Sequence, residues 1–586
     1  MHPHPRTELL ARLSSASFDL LIIGGGIVGA GIARDAAMRG LKVALIEQGD
    51  FASGTSSKTS KLIHGGLRYL EQGHLGLVME SLRERQILRT ILPAYIYPLS
   101  LLLPVYDTDA RPAWKIRAGL SLYDLLASGR NLQPHRMVSA RHALAMEPSL
   151  RVDGLRAAGL YADCQMDDAR VCLANILQAI GFGAVCANYV RLTQFLKSKG
   201  RICGVAAEDV LAGRSVEIRA TVVVNATGPW ADRIRRLSDI GVGQRLVPTK
   251  GIHLIVPRLT QHALFAEARS DRRMLFLLPW GGDYSLIGTT ETSVAGPLEE
   301  LAADANEVDY LLDETRRLLP GSHLDAGQII ATFAGARPLL AFSGSAARAS
   351  REHRIDVDDA GLVSVMGGKF TTYRLMAQQA VDLLIRRCRW RADRCLTDQV
   401  SLLESVHPIG LERWDELTRA MDPDLLTRLI ARYGAASFQV LELMDRDRGL
   451  GHRVCPHHEE IAAELVHAFL GESACTITDV LARRTRIAWS ACQGLDLLLT
   501  LVELAHRYAG ISHEVLDRQV DAYHRFLQRA TAFRSSAVWS PTGRARGTPP
   551  TPTMGATSRP PAGPETSMRL TAEGRGPMAG SSGAAR

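Results

Sequence analysis

The chain contains 586 residues, which is enough for two or more domains with large cores. Hydrophobic residues make up 46% and charged residues 22%, the composition of an ordinary globular protein. The formal net charge of +8 is mild for this length, so it allows an anionic substrate or lipid but does not require nucleic acid. No aromatic-and-basic pattern of a nucleic-acid module is present, and we expect no nucleic acid partner.

The cysteine count and the apolar runs bear on the redox compartment of the protein and on whether it crosses a membrane. Nine scattered cysteines without a CxxC pair predict reduced thiols of a cytosolic protein, with neither a disulfide framework nor a metal site. The first residues lack the apolar core of a secretory signal. No run reaches the ~18 apolar residues of a membrane span. The nearest candidate, YIYPLSLLLPVY at 95–106, is expected to be buried chain or an interfacial segment.

Taken in chain order, the elements suggest several parts. Residues 1–17 are expected to be a loose leader. FDLLIIGGGIVGAGIARDAAMRGLKVALIE then predicts a strand, a glycine turn, a helix and a second strand. Residues 60–150 mix amphipathic helix with proline-rich loop, and short β-like runs dominate from 245 to 345. Helical spacing dominates residues 401–535, and the Pro-, Gly- and Ser-rich residues 536–586 are expected to be disordered.

The first glycine turn has the context of a dinucleotide fingerprint. Gly24, Gly26 and Gly29 form GxGxxG between a strand and a helix, and Glu47 ends the next strand. The glycines let the backbone approach a pyrophosphate, while the acid grips a ribose hydroxyl, which favours NAD or FAD over NADP. The polar loop QGDFASGTSSKTSK that follows could lie along an extended cofactor.

A second glycine turn stands far from the first, in MGGKFTTYR. Gly367, Gly368 and Lys369 lie between a predicted strand and a predicted helix, a good setting for an anion. Because the pyrophosphate already has its partner at the first turn, this one is expected to face the other end of the same cofactor, which would gain negative charge on reduction if it is a flavin. Lys369 would reach either that charge or a substrate phosphate.

A set of motifs in one order carries a family resemblance. GGGIVGAGIARDAAMRG, TSSKTSKLIHGGLRYLE, RPAWKIRAGLSLYDLL, VNATGPW, KGIHLIVPR, IGTT, GARPL and GGKFTTYR together resemble the FAD-dependent, respiratory glycerol-3-phosphate dehydrogenases over residues 18–390. The similarity continues more weakly through 401–530. The leader and the tail lie outside it.

The resemblance implies an α/β fold in which a Rossmann-type FAD-binding domain is interleaved with an antiparallel-sheet substrate domain over residues 18–395. The substrate part would span roughly 95–150 and 240–345, and a helical C-terminal domain would follow. It also implies oxidation of sn-glycerol 3-phosphate to dihydroxyacetone phosphate, with electrons passed to a membrane quinone. The cofactor contacts are assigned to Gly24, Gly26, Gly29, Glu47, Thr55, Ser56, Ser57, Lys61, His64, Gly65, Gly66, Leu67, Thr227, Gly228, Gly367, Gly368, Lys369 and Phe370.

A phosphorylated substrate needs cations, because burying an unpaired dianion is costly. The motifs supply Arg68, Arg337 and Lys369, and we expect at least two of them to bind phosphate. Tyr69 and Thr290 are expected to hydrogen-bond substrate or flavin.

Alcohol oxidation also needs a base with a pKa near the working pH, which favours histidine. Two histidines in the motif stretches, His253 and His64, are candidates, and His253 is preferred. Arg337 and Lys369 are assigned with it to the catalytic set.

The stretch Arg111–Arg117 combines basic and aromatic residues at the start of a predicted helix. This composition fits either a membrane interface or a packed helix with a solvated basic edge. The resemblance favours a cytoplasmic protein attached peripherally to the inner face of the membrane, and it allows a homodimer. Three alternatives stay open: an oxidase that uses O2, an amine or amino-acid oxidase of similar fold, and a flavin-binding regulatory protein without turnover.

Overall fold

The structure of the protein is a computed structural model that describes residues 6–239, 243–294, 296–341, 352–403, 411–419 and 421–535. The tail expected over 536–586 lies outside these residues. The strands are β1 Ser17–Ile23, β2 Val43–Ile46, β3 Leu62–Ile63, β4 Ile96–Tyr106, β5 Arg136–Ser139, β6 Leu155–Met166, β7 Val185–Ala187, β8 Val190–Ser198, β9 Arg201–Asp209, β10 Arg214–Asn225, β11 Leu246–Pro257, β12 Ala263–Glu267, β13 Met274–Trp280, β14 Tyr284–Gly288, β15 Thr292–Ser293, β16 Ala331–Leu340, β17 His353–Val357 and β18 Val363–Gly367.

The helices cluster on the faces of the sheets and in the last third of the chain. They are α1 Arg6–Ser15, α2 Ile27–Met38, α3 Arg68–Glu71, α4 Leu75–Ile91, α5 Ala113–Ala127, α6 Ala140–Met146, α7 Asp168–Gly181, α8 Ala231–Ser238, α9 Ala305–Leu318, α10 Tyr373–Cys388, α11 Leu411–Thr418, α12 Pro423–Tyr433, α13 Ser437–Arg446, α14 Ala462–Leu470, α15 Ile477–Asp479, α16 Leu498–Ala509 and α17 His513–Ala530.

The first sheet has the order β17-β18-β10-β1-β2-β7, with β9 and β8 added beside β10. Its centre is parallel: β1 pairs with both β10 and β2, and the crossover from β1 to β2 is α2. Parallel strands bury both faces, and β2 is buried at every position, VALI. A core formed with α2, α7 and α10 covers one face of this sheet. The predicted Rossmann-type unit is confirmed.

The second sheet has the order β15-β11-β14-β13-β12-β4-β6-β3, with β16 on β11 and β5 on β6. Its neighbours are antiparallel except for β12 and β4. The predicted antiparallel sheet is therefore confirmed, although β6 and β3 lie outside the expected ranges of the substrate part. The stretch YIYPLSLLLPVY contains all of β4, whose residues from Leu101 to Tyr106 are buried, as one of the two expectations has it. Pro98, in its first half, is exposed.

The N-terminal residues differ from the loose leader that was expected. Residues Arg6–Ser15 form helix α1, which buries Leu10 and Leu13 against the first sheet. Arg6 also pairs with the buried Asp209 at 2.6 Å. The apolar spacing of three residues gives this short helix one face to bury, which explains why it packs.

Helices make up the last third of the described chain, as the periodicity predicts. This helical part is joined to the first sheet by a buried ion cluster. Asp50, in the loop after β2, accepts two hydrogen bonds from Arg484 at 2.6 and 2.9 Å and one from Arg483 at 2.6 Å. Both arginines belong to a π-helical turn, Val480–Arg484. Burial alone would raise the pKa of Asp50, but the two arginines outweigh it and lower the pKa to about 2.

Replacing this carboxylate is expected to destabilise the protein strongly. Asp50→Asn leaves the buried Arg484 without its carboxylate and Arg483 with Asp479 alone, a loss of about 3–5 kcal/mol in the free energy of unfolding, measured by denaturant titration. Glu514→Gln, which breaks an exposed pair with Arg518, is the control and should cost below about 0.5 kcal/mol. Equal losses of unfolding free energy in the two variants would contradict the stabilising role of the Asp50 ion pairs.

The same pair gives a pH dependence with a defined sign. Because the folded pKa of Asp50 is depressed, its contribution to stability is present above about pH 4 and is lost as the pH falls towards 2. Asp50→Asn should therefore flatten this part of the acid unfolding curve.

Candidate functional site

A cavity of ≈ 1030 Å³ lies where the two sheets meet. Its wall includes Gly24 and Gly367 at the ends of β1 and β18 in the first sheet. It also includes Gly251 and His253 of β11 and Arg337 of β16 in the second sheet. The volume is at the upper end of the about 300–1,000 Å³ that is usual for ligand pockets. The predicted site residues that line it are Gly24, Gly26, Glu47, Thr55, Ser56, His64, Tyr69, Thr227, Gly228, His253, Arg337, Gly367, Gly368, Lys369 and Phe370.

The first glycine turn is so tight that a side chain at Gly24 or Gly29 would collide with the backbone. Gly24 has φ +111°, and a Cβ there would lie 2.7 Å from the carbonyl oxygen of Ala226. A Cβ on Gly29 would lie 1.9 Å from the carbonyl oxygen of Gly24. Gly26 precedes helix α2 in an extended conformation, and Ile27 N–H donates to Ser56 Oγ at 2.9 Å. The start of α2 is therefore set against the cavity wall, where backbone can approach an anion.

Glu47 stands at the end of β2 as the fingerprint requires. Its Oε2 accepts from Gly25 N–H at 2.7 Å and its Oε1 from Gly49 N–H at 2.8 Å. Burial raises the pKa of Glu47, against the opposing effect of these N–H donors. The carboxylate is fixed beside the glycine turn, where a ribose hydroxyl could donate to it.

The polar loop after Glu47 lines the cavity from Ala52 to Ser60, but several of the residues predicted between Ser57 and Leu67 do not reach the wall. Among the described residues, the cavity wall does not include Ser57, Lys61, Gly65, Gly66 or Leu67. Lys61 Nζ instead pairs with Asp168 Oδ1 at 2.5 Å and donates to Ser57 O at 2.7 Å. The lysine therefore anchors the loop to the start of α7.

The two glycines of the next loop, which follows β3, serve packing. Gly65 N–H donates to Tyr123 Oη at 2.8 Å, and a Cβ at this glycine would lie 2.5 Å from the same oxygen. Gly66 has φ +80°, and a Cβ there would lie 2.4 Å from the ring of Tyr69. Both glycines thus hold the loop close to aromatic side chains.

The wall near β10 is a short strand-end turn. Thr227 donates through Oγ1 to Asn225 Oδ1 at 2.7 Å, and Gly228 follows with φ +54°. Both residues of this turn line the cavity.

The second glycine turn also reaches the cavity. Gly367 and Gly368 have φ +75° and +87°, which glycine adopts readily and other residues rarely do. Lys369 follows, and its Nζ lies 3.7 Å from the centroid of the Tyr69 ring and 3.5 Å from Ser81 Oγ. The ammonium group is therefore held over an aromatic face beside the cavity.

Arg337 is oriented by neutral oxygen atoms. Its Nη2 donates to Thr289 Oγ1 at 2.8 Å and Thr290 O at 2.9 Å, and its Nη1 donates to Lys250 O at 3.2 Å. A Cβ on Gly251 would lie 2.2 Å from Nη2, so the guanidinium crosses the backbone of β11 at this glycine. Gly251 was missed as a site residue, although it stands in the KGIHLIVPR motif.

His253 is buried and held neutral. Its Nε2 lies 2.9 Å from Ser60 Oγ, and its ring stacks on Phe333 at 4.9 Å between centroids. Burial, and then the charges of Arg337 and Lys61, lower the pKa of His253 well below 6.5. Its Nδ1 is buried and has no hydrogen-bond partner among the described residues. A neutral imidazole with this environment can accept a proton from a bound alcohol.

Two predicted substrate residues have other positions. Thr290 accepts through Oγ1 from Ile252 N–H at 3.1 Å and donates to Glu307 Oε1 at 3.0 Å. Arg68 stands over the ring of Tyr69 at 5.7 Å. Within the part of the chain that the structure describes, neither residue belongs to the cavity wall. Thr290 instead holds Arg337 through its carbonyl oxygen.

Comparison with known proteins connects this geometry to a family. Residues 19–383 match the family model described as FAD dependent oxidoreductase, and residues 395–515 match that of the C-terminal domain of alpha-glycerophosphate oxidase. The glycerol-3-phosphate dehydrogenase of Synechocystis sp. is 36% identical over 540 residues, covering 88% of this chain and 97% of that protein. This chain belongs to the glycerol-3-phosphate dehydrogenase family of FAD-dependent oxidoreductases.

Further relatives agree with this family. The human mitochondrial glycerol-3-phosphate dehydrogenase is 33% identical over 568 residues, covering 91% of this chain and 76% of that protein. The X-ray structure of the glycerol-3-phosphate dehydrogenase from Bacillus halodurans complexed with FAD superposes with a TM-score of 0.71 at 28% identity. That match covers 92% of this chain and 99% of the other.

The cavity fits the FAD that the family requires. Gly24 and Gly26 in the cavity wall would approach the pyrophosphate, and Glu47 would bind the ribose. The predicted Gly29 is not among the wall residues and instead keeps the cradle tight against the Gly24 carbonyl. The backbone at Gly367 and Gly368 would approach the flavin end, since these glycines line the same cavity.

Adding one methyl group to the cradle should remove the cofactor. In Gly29→Ala the new Cβ meets the Gly24 carbonyl at 1.9 Å, so the turn must shift and the purified protein should lose most of its flavin absorbance. Gly76→Ala is the matched control: it lies in α4 with nothing within 4 Å of the added Cβ. Full flavin content in Gly29→Ala would refute this role.

Proposed function

We propose that this protein oxidises sn-glycerol 3-phosphate to dihydroxyacetone phosphate with FAD. One observation carries the proposal: a neutral His253 and two cations, Arg337 and Lys369, line the same cavity as the dinucleotide cradle. A phosphorylated alcohol matches these residues, because its hydroxyl can give a proton to His253 and its phosphate can bind the two cations. The relatives named as glycerol-3-phosphate dehydrogenases support the same substrate.

The cations would bind and orient the phosphate. Arg337 is held in one orientation by three hydrogen bonds, which lowers the entropy lost when it meets an anion. Lys369 lies over the ring of Tyr69 in the same cavity wall. These cations disfavour the amine alternative, because an ammonium substrate would meet like charge.

His253 would take the hydroxyl proton. FAD, when bound, supplies the acceptor for the two electrons of the alcohol carbon. Ser60 and Phe333 hold the imidazole in place, so the ring moves little as the proton arrives. The positive charge that forms on His253 is costly beside Arg337 and Lys61, and the substrate phosphate would offset this cost.

The decisive experiment is an anaerobic titration of the yellow holoprotein. Adding glycerol 3-phosphate should bleach the flavin absorbance, and dihydroxyacetone phosphate should appear in equal amount. Bound flavin that is not bleached would refute the proposal and favour a regulatory protein. Bleaching followed by stoichiometric peroxide under air would identify an oxidase instead of a dehydrogenase.

Removing the guanidinium should weaken substrate binding and leave the cofactor bound. Arg337→Met loses charge-assisted hydrogen bonds of about 1.5–3 kcal/mol in all, so kcat/KM should fall about 10- to 100-fold in steady-state assays. Arg68→Met, outside the cavity wall, should change kcat/KM by less than about threefold. A larger fall in kcat/KM for Arg68→Met than for Arg337→Met would indicate that Arg68, and not Arg337, binds the phosphate.

The pH dependence of kcat/KM should identify the catalytic base. His253→Gln is expected to lower kcat about 100- to 10,000-fold. Because the pKa of His253 is lowered well below 6.5, the wild-type kcat/KM should stay level through pH 6.5 and fall only at lower pH. Loss of activity in His64→Gln but not in His253→Gln would transfer the role to His64.

We also propose that a membrane quinone takes the electrons at the inner face of the cytoplasmic membrane. Within the described residues, no helix is long and apolar enough to cross a membrane. Helix α5 nevertheless exposes Trp114 and Leu125, each 72% accessible, and the adjacent α4 exposes Leu75 and Met79. Exposed apolar groups beside the basic residues Lys115 and Arg117 suit peripheral contact with anionic lipid.

This surface can be tested with vesicles. Trp114→Ser should reduce co-sedimentation with phosphatidylglycerol-containing vesicles several-fold, because the ring no longer enters the headgroup region. Leu499→Ser in α16, where Leu499 is 84% accessible, is the matched control and should bind as the wild type does. Equal losses of vesicle binding in the two variants would contradict the proposal that α5 contacts the membrane.

A further inference from the structure

A cluster of metal-type ligands lies in the helical part, apart from the cavity. Cys455 and His458 stand in the loop before α14, and Cys492 stands in the loop before α16. Their ligand atoms all lie within 4.8 Å of one another. His458 Nε2 is 3.3 Å from Cys492 Sγ, and Cys455 Sγ is 2.8 Å from Asp496 Oδ2.

Both cysteines sit in turns of the same kind. The backbone N–H two residues after each cysteine donates to its sulfur: His457 N–H to Cys455 at 3.4 Å and Gly494 N–H to Cys492 at 3.4 Å. Gly494 has φ +67°, which closes the second turn. N–H donors aimed at sulfur stabilise the thiolate, the form in which cysteine binds a metal.

We propose that Cys455, His458 and Cys492, with Asp496 as the fourth ligand, bind one structural Zn²⁺ ion in tetrahedral geometry. Two sulfurs and an imidazole select a soft divalent ion, and zinc is the usual one for such a set. Zn–S bonds of about 2.3 Å and Zn–N bonds of about 2.0 Å place neighbouring ligand atoms about 3.5 Å apart. The 3.3 Å between His458 Nε2 and Cys492 Sγ is close to this, and Asp496 Oδ2 lies beside the Cys455 sulfur. Two thiol protons leave to solvent when the ion binds.

A disulfide between Cys455 and Cys492 is the competing explanation. It would make no use of His458, whose Nε2 contacts both Cys492 and Ser490 Oγ at 2.9 Å. It would make no use of Asp496 either, whose carboxylate accepts from the Cys455 thiol. A metal ion uses all four groups, and the exposed Asp496 gives it a route from solvent.

The ion would hold the helical part against the second sheet. In the loop of Cys492, Ala491 N–H donates to Tyr284 Oη at 3.0 Å, and Gln493 Nε2 donates to Ile330 O at 3.2 Å. Trp489, just before this loop, packs edge-on against Phe333 at 5.7 Å, and Phe333 is the ring on which His253 stacks. The metal therefore has a structural role that extends to the support of the site.

The first test is the metal content of the full chain, purified without a polyhistidine tag from zinc-supplemented cells. Elemental analysis should find about one zinc per polypeptide, and Co²⁺ exchange should give thiolate charge-transfer and tetrahedral ligand-field bands. Cys492→Ser and His458→Ala should lose the zinc. Their matched controls, Cys388→Ser in α10 and the adjacent His457→Ala, should keep it.

A second measurement on the wild type stays informative if those variants do not fold. Cys455 and Cys492 should resist alkylation until a chelator is added, whereas Cys388 should react at the same rate with or without chelator. Wild-type protein without zinc, variants that retain zinc, or a Cys455–Cys492 disulfide found by non-reducing peptide mapping would each overturn the proposal. None of these readouts depends on the flavin reaction.

Discussion

The antiparallel register between β11 and β16 is the constraint on which the site depends. It pairs Thr249 with Arg337, Gly251 with Gly335 and His253 with Phe333. Alternate residues of a strand share a face, so the guanidinium, the two glycines and the stacked imidazole all lie on one side of the sheet. Gly251 and Gly335 both line the cavity, and their missing side chains make room for the Arg337 guanidinium over the first and the backbone of Lys58 over the second. A slip of one residue would turn this entire set to the other face.

Buried ion pairs join the first sheet and its helices to the helical part. Asp50 links the loop after β2 to Arg483 and Arg484, and Arg170 of α7 pairs with the buried Glu472 at 2.7 Å. Breaking such pairs is costly because one charge is left without its partner in a low-dielectric interior. The loop after β2, which begins at Glu47, and helix α7 are therefore fixed by groups from the helical part as well as by their own layer.

The sequence was most informative where function depends on local backbone. The β1–α2 turn and Glu47 could be predicted because a glycine pattern, a strand and an acid within a short stretch determine that geometry. Predictions were weaker where contacts are remote in sequence. Lys61 meets Asp168, and Thr290 meets Glu307, through folding that no local pattern encodes. The approach of Cys455 to Cys492 could not be predicted for the same reason, because two loops that are distant in sequence bring the sulfurs together.

Helix α1 shows a different limit. Its sequence is short and polar at the start, and only the packing of Leu10 and Leu13 under the first sheet makes it part of the core. Composition alone favoured a loose leader because tertiary burial, and not helix propensity, stabilises a helix of this length.

The aromatic contacts behind His253 bear on how this chain can be divided. His253 stacks on Phe333, Phe333 meets Trp489, and Trp489 meets Phe526 of α17 at 5.4 Å. The oxidoreductase domain therefore ends in sequence near residue 390 but is completed in space by side chains of the last helices. The two family segments are not interchangeable modules. A C-terminal segment taken from a relative would have to supply both the indole and the phenyl ring at these places, or Phe333, on which the imidazole stacks, would lose its own support.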